Sequence, residues 1–143
     1  MDYPFLIFLV EEIQFAIESE LVYRIERFDK VNVEYKEDIP SFYHVGDYVI
    51  TLDWLKKSEI KKDEIQNFHR LILYRVNGKI RGIPSTELVK VENGNEGNIS
   101  LVPLAFRNRK ALNWVRTFFL DGEKIIPVLN IDNLHFFSRY QEK

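Results

Sequence analysis

Three histidines, His44, His69 and His135, are the residues of this sequence best suited to metal binding or acid–base chemistry. None of them has the short spacing of a metal-ligand pair, and none has a carboxylate at a fixed offset. The chain contains no cysteine, which excludes disulfides, thiolate nucleophiles and sulfur-ligated metals. We therefore predict no metal site, and each histidine is expected to have an ordinary structural or surface role.

The carboxylates show no arrangement that is typical of catalysis. Glu11, Glu12, Asp38 and Asp121 lie at predicted turns or beside basic residues, whereas a catalytic acid and base need burial or close pairing. No nucleophile–base arrangement is recognisable, and no glycine-rich loop leads into a helix where it would hold a phosphate. We predict a protein that is not an enzyme, with no catalytic residues and no cofactor.

A basic cluster formed by Arg107, Arg109, Lys110 and Arg116 is the one patch that has the chemistry to contact nucleic acid or an acidic protein surface. A solvated loop is the commoner role of such a cluster. Over the whole chain, 20 basic residues oppose 22 acidic ones, and the formal net charge of -2 gives no field that would hold a polyanion. The expected partner is a protein and not nucleic acid.

A folded domain is expected to position these side chains, because hydrophobic residues make up 45% of the chain and charged residues 29%. The 143 residues suit one domain, with one core or two small cores that share a wall. The apolar stretch from Phe5 to Val10 lacks a basic leader and is too short for a signal peptide or a membrane span. We interpret it as a buried strand and expect a cytoplasmic protein without direct membrane insertion.

Alternating apolar residues and short apolar runs predict a mostly-β architecture. Two hairpins are the clearest local signals, with turns at Asn77-Gly78 and Asp121-Gly122, because these dipeptides supply positive φ angles. The residues from Phe42 to Leu52 are predicted as one extended stretch in which Gly46-Asp47 permits a bulge or a bend. The other predicted strands are Pro4–Val10, Ile13–Ile17, Leu21–Ile25, Val31–Lys36 and Glu87–Glu92.

Two short helices and one loop complete the prediction. Asp53 is expected to cap a short helix that begins at Trp54, and Asn130 to cap a terminal helix from Ile131 to Tyr140. The run of asparagine and glycine over residues 93–98 predicts an exposed loop.

Several passages of the chain, in this order and at this spacing, match those of a known family. They are Phe5–Phe8 with Ile13–Ile17, Val22–Ile25, Val45–Trp54, Leu71–Gly78 with Gly82–Ile83 and Leu88–Val91, and Leu120–Leu129 with Leu134. The chain thereby resembles the CheW family of chemotaxis coupling proteins from Phe5 to Phe137. It departs from the family pattern at three positions: the family's arginine before the glycine is Val45 here, the following proline is Ile50, and the aspartate four positions after Gly82 is Thr86.

The resemblance implies a mostly-β fold of two small five-stranded β-barrels side by side, with short helices between them and at the C-terminus. Residues 1–143 would then form a single domain with two barrel subdomains and a helical or loop connection near 54–68. No cofactor and no active site are implied. The protein would be cytoplasmic and recruited to membrane-receptor arrays.

The resemblance also implies two binding surfaces, one for the regulatory domain of a CheA-type histidine kinase and one for the cytoplasmic tip of a methyl-accepting chemoreceptor. The candidate residues for the receptor or kinase groove are Val22, Arg24, Tyr43, Val45 and Gly46. The function implied is coupling of receptor and kinase by protein–protein binding. Two alternatives stay open: a diverged adaptor of the same fold that has lost receptor coupling and binds another signalling protein, and a small enzyme or nucleic-acid binder on a β-barrel.

Overall fold

The computed structural model describes residues 3–37, 39–55, 65–95, 97, 99–101 and 114–134. Within these residues the chain forms twelve strands: β1 Tyr3–Val10, β2 Ile13–Glu18, β3 Val22–Arg27, β4 Asn32–Lys36, β5 Ile39–Val45, β6 Tyr48–Leu52, β7 Arg70–Val76, β8 Lys79–Ser85, β9 Glu87–Gly94, β10 Ile99–Leu101, β11 Val115–Asp121 and β12 Lys124–Leu129. Short 3-10 helices cover Ser19–Leu21, Phe28–Lys30, Ile65–Asn67 and Ile131–Asn133. The predicted mostly-β class is confirmed.

The strands form two sheets of six. The first sheet has the order β10-β11-β12-β2-β1-β9 and is built from both ends of the chain, whereas the second has the order β3-β7-β8-β6-β5-β4 and is built from the middle. The predicted pair of β units is confirmed, with two differences. Each described sheet has six strands and not five, and each is open, since its first and last strands pair with one neighbour only.

The β1–β2 hairpin is a wall shared by two hydrophobic cores. Because successive residues of a strand face opposite sides, Leu6 and Phe8 of β1 join a core cluster that also contains Leu71 and Ile83 of the second sheet. Phe5 and other side chains on the opposite face of the hairpin join a smaller cluster with strands β11 and β12. Burial of each such side chain stabilises the fold by about 1.5–3 kcal/mol. Both faces of the hairpin therefore contribute to its stability.

The predicted tight hairpin over β7 and β8 is confirmed. Asn77 and Gly78 have φ angles of 51° and 76°, as a type I′ turn requires, and Val76 pairs with Lys79. The predicted hairpin over β11 and β12 is also present, but Asp121 pairs with Lys124, so its turn residues are 122 and 123, one position later than expected.

The stretch from Phe42 to Leu52 is a hairpin and not one extended strand. Gly46 and Asp47 form the turn between β5 and β6, where Val45 pairs with Tyr48. The predicted loop over residues 93–98 is also partly wrong, because β9 continues to Gly94. A β-carbon on Gly94 would lie 2.5 Å from the Phe5 ring, so only glycine fits this position of the pair with β1.

The predicted helices differ from the structure or lie outside the described residues. Asp53 is not a helix cap, since its side chain is buried and bonded to two other strands. The described part of the C-terminal segment is the 3-10 helix Ile131–Asn133, and Asn130 makes no side-chain cap bond there. The connection near 54–68 joins β6 and β7, which lie in the same sheet, and residues 56–64 of it lie outside the described part.

Candidate protein-binding site

Two of the five candidate residues, Val22 and Arg24, lie on β3, an edge strand of the second sheet. Val22 is half-buried and packs against the shared core, opposite Tyr74 of β7. The side chain of Arg24 is 63% exposed and forms an ion pair with Glu26. These two candidates are therefore accessible from solvent.

Tyr43 and Val45 lie on β5 and face the interior of the second sheet. Tyr43 contacts the ring of Trp54 edge-on, with the ring centroids 6.1 Å apart, and burial raises the pKa of its hydroxyl. Val45 is 8% exposed and belongs to the shared core. These two side chains pack inward, and among the described side chains of β5 those of Phe42 and His44 lie on the opposite, solvent-facing side.

Gly46 forms the exposed turn between β5 and β6 with a φ angle of 57°. No atom lies within 4 Å of the position that a β-carbon would take, so the requirement for glycine comes from the backbone angle and not from crowding. Asp47, the next turn residue, is also exposed, as expected of a turn aspartate.

The outward side of strands β4 to β6 forms an open face, which we define by Glu34, Phe42, His44, Val49 and Thr51. Phe42 is 54% exposed and Val49 is 61% exposed. Glu34 lies opposite Phe42, His44 lies opposite Val49, and the His44 Nε2 atom is 3.0 Å from Glu34 Oε1. Phe42 and Val49 give this face exposed apolar surface, and aromatic side chains such as that of Phe42 are enriched where proteins bind one another.

A buried ionic cluster lies beside this open face. Asp53, which follows β6 and is 1% exposed, accepts hydrogen bonds from the Tyr74 hydroxyl and from the Arg81 guanidinium. The Arg81 bonds are bidentate, with Nε 3.0 Å from Oδ2 and Nη2 2.5 Å from Oδ1. The backbone N–H of Asp53 donates to the carbonyl of Gly82 at 2.7 Å. The carboxylate is thus satisfied by its own protein and has a structural role.

The same cluster shifts two pKa values. Burial raises the pKa of the Tyr74 hydroxyl far above its usual range, and the neighbouring Asp53 charge acts in the same direction. The hydrogen bond to Asp53 raises the pKa of Arg81, so the guanidinium stays charged at every physiological pH. The cluster fixes β6, β7 and β8 relative to one another, since each of these strands supplies or adjoins one of its members.

The sequence did not single out this cluster. The sequence predicts a helix cap at Asp53 and indicates no role for Arg81, because the partners of Arg81 are 28 and 7 residues away. The available signal was an arginine inside the apolar strand β8, which needs a carboxylate partner when it is half-buried. That signal predicts an ion pair for Arg81 but does not identify which carboxylate forms it.

The edge strand β3 presents further side chains to solvent. Tyr23 and Ile25 are both exposed, and the Arg75 guanidinium lies 4.2 Å from the centroid of the Tyr23 ring. Because Tyr23, Arg24 and Ile25 are consecutive and all exposed, both faces of this strand are accessible to a partner.

The other sequence candidates do not come together. Within the described residues, no group of three or more histidine and acidic side chains is placed to hold a metal ion. His135, Asp38 and the basic residues 107, 109 and 110 lie outside the described part, and Arg116 pairs with Glu18 at 3.1 Å. No helix in the described ranges is long and apolar enough to cross a membrane.

Comparisons with known proteins support the fold. No protein-family model matches the sequence, and no curated protein is significantly similar to it. Among solved structures, the scaffolding protein TtCheW from Thermoanaerobacter tengcongensis is similar, with a TM-score of 0.68 and 18% sequence identity. The match covers 91% of this chain and 90% of that one. The chain therefore has a CheW-like fold, and the predicted resemblance is confirmed at the level of the fold.

Proposed function

We propose that the protein is a chemotaxis scaffold, not an enzyme, that joins a CheA-type histidine kinase to chemoreceptors by protein–protein binding. The observation that carries this proposal is the similarity of the fold to a scaffolding protein over almost the whole of both chains. The partners would be the regulatory domain of the kinase and the cytoplasmic tip of a methyl-accepting chemoreceptor. The site of action would be the cytoplasmic side of a receptor array.

A scaffold of this kind works through differential affinity. It holds receptor and kinase in one geometry, and a change in the receptor state changes the population of active kinase through the binding free energies. The residues that matter are then those that contact partners. Val22 and Arg24 on β3 are accessible for such contacts, whereas Tyr43, Val45 and Gly46 would act by fixing the shape of the β5–β6 hairpin.

Arg24 offers a direct test by titration calorimetry against the regulatory domain of a CheA-type kinase from the same organism. A charged hydrogen bond contributes about 1.5–3 kcal/mol, so Arg24→Ala is expected to weaken binding by roughly tenfold or more. Arg116→Ala is the matched control, because Arg116 is also exposed and ion-paired, but on the first sheet. Absence of binding by the wild-type protein would overturn the kinase partnership.

The diverged adaptor is a second candidate function, and Val45 favours it. The family pattern has arginine at this position, and here the side chain is buried in the core and unavailable for an ionic contact. The two candidates differ in a sedimentation assay with receptor-containing membranes and kinase. With a receptor–kinase scaffold, the kinase sediments with the membranes. With an adaptor that has lost receptor coupling, the kinase stays in solution even when the adaptor binds it.

A further inference from the structure

Two arginines face each other at the end of the β3–β7 pair. Arg27 and Arg70 are direct cross-strand partners, and like charges in that position destabilise a sheet. Arg27 has a carboxylate partner, since its Nη2 atom lies 2.7 Å from Asp29 Oδ2. Arg70 donates to the carbonyl of His69 at 3.1 Å, and none of the described carboxylates forms an ion pair with it. The pair thus carries an excess positive charge.

These arginines stand at the rim of a cleft of about 490 Å³. Its lining is mixed: Val31 and Ile65 supply apolar surface, and Asp29, the partner of Arg27, and His69 lie in it beside the two arginines. The volume lies within the range of binding sites, and the lining offers both charged and apolar surface. A ligand that suits the cleft therefore combines a negative charge with an apolar group.

We propose that this cleft binds an acidic segment of a protein partner. A carboxylate of that segment would lie against Arg70 and relieve its repulsion from Arg27, and a neighbouring apolar side chain would cover the half-buried Val31 and Ile65. The guanidinium fork matches a carboxylate in geometry and charge. A peptide fits better than a nucleic acid, because the chain as a whole is slightly acidic and has no field that would hold a polyanion. The proposal does not depend on the partner being a kinase or a receptor.

The test uses a synthetic eight-residue peptide of alternating glutamate and leucine, titrated into the isotope-labelled protein and followed by NMR. Amide shifts are expected over residues 27–33 and 65–70, and they should vanish when lysine replaces glutamate in the peptide. Arg70→Gln is expected to weaken binding roughly tenfold or more. Arg75→Gln is the matched control, because Arg75 is an exposed arginine on the same strand that lies over Tyr23.

A thermal unfolding measurement separates binding from structure. Removal of one member of a repelling pair should leave the free Arg70→Gln protein at least as stable as the wild type, while the peptide raises the melting temperature of the wild type only. Equal peptide binding by wild type and Arg70→Gln would overturn the proposal, as would a clear loss of stability in the free variant. Tighter binding of an oligonucleotide than of the peptide at the same residues would also overturn it.

Discussion

At the scale of single residues, the cluster of Asp53, Tyr74 and Arg81 shows how hydrogen bonds offset the cost of burying a charge. The desolvation of Asp53 is offset by a bidentate guanidinium and a hydroxyl, and every polar atom of the carboxylate has a donor. Such a pair adds little net stability compared with an apolar replacement, but loss of one partner leaves the other buried and unpaired.

Arg81→Ala is therefore expected to destabilise the fold by about 3 kcal/mol, since Asp53 would lose two of its donors in a buried site. Urea denaturation followed by circular dichroism measures the free energy of unfolding. Lys79→Ala is the control on the same strand, because Lys79 is exposed, and it should change stability by less than about 0.5 kcal/mol. A loss below about 1 kcal/mol for Arg81→Ala would show that water reaches Asp53.

The limits of sequence reasoning at this scale are visible at Val45. The resemblance to the family places Val45 at the groove, at the position of the family's arginine before the glycine. Alternation along β5 turns Val45 towards the core and turns Phe42 and His44 outward. Which side of a strand faces the core depends on the elements that pack against that strand. A short motif does not specify those elements.

At the scale of elements, hairpins with strong turn signals are predictable because their pairing is local. Asn77-Gly78 predicts the β7–β8 register correctly. Gly46-Asp47 predicts only a bulge or a bend, because glycine–aspartate suits these as well as the hairpin turn that it forms here. The sequence does not predict the strand β10, Ile99–Leu101, because three residues give too short a pattern to recognise.

The Gly46 turn gives a prediction at this scale. Gly46→Ala should cost about 1–2 kcal/mol, because an L-residue is strained at a φ angle of 57°, although the space for a β-carbon is open. Gly46→Asn should cost less, since asparagine tolerates this region better than alanine. Thermal unfolding of the two variants measures the difference. Equal melting temperatures for both variants and the wild type would mean that the turn changes conformation.

At the scale of the whole molecule, the two sheets are tied together by the hairpin that opens the chain. Within the first sheet, β1 pairs with β9, and β2 meets β12 in parallel at Ala16 and Val128. The contact with the second sheet is the packing of Leu6 and Phe8 in the shared core. The sequence predicts the strands but not these pairings, since their energy comes from packing between segments about a hundred residues apart. The possibility of two cores that share a wall followed from size and composition, whereas the identity of that wall required the structure.

A shared wall predicts that the two sheets unfold together. Trp54 packs in the second sheet against Phe28 and Phe68, and Trp114 contacts Phe15 of the first sheet at a centroid distance of 6.0 Å. In Trp114→Phe the fluorescence of Trp54 therefore reports the second sheet alone, while far-ultraviolet circular dichroism reports both. We expect the two urea transitions to coincide, because loss of either sheet exposes the β1–β2 hairpin. Dichroism that persists after the fluorescence change is complete would show that the first sheet folds on its own.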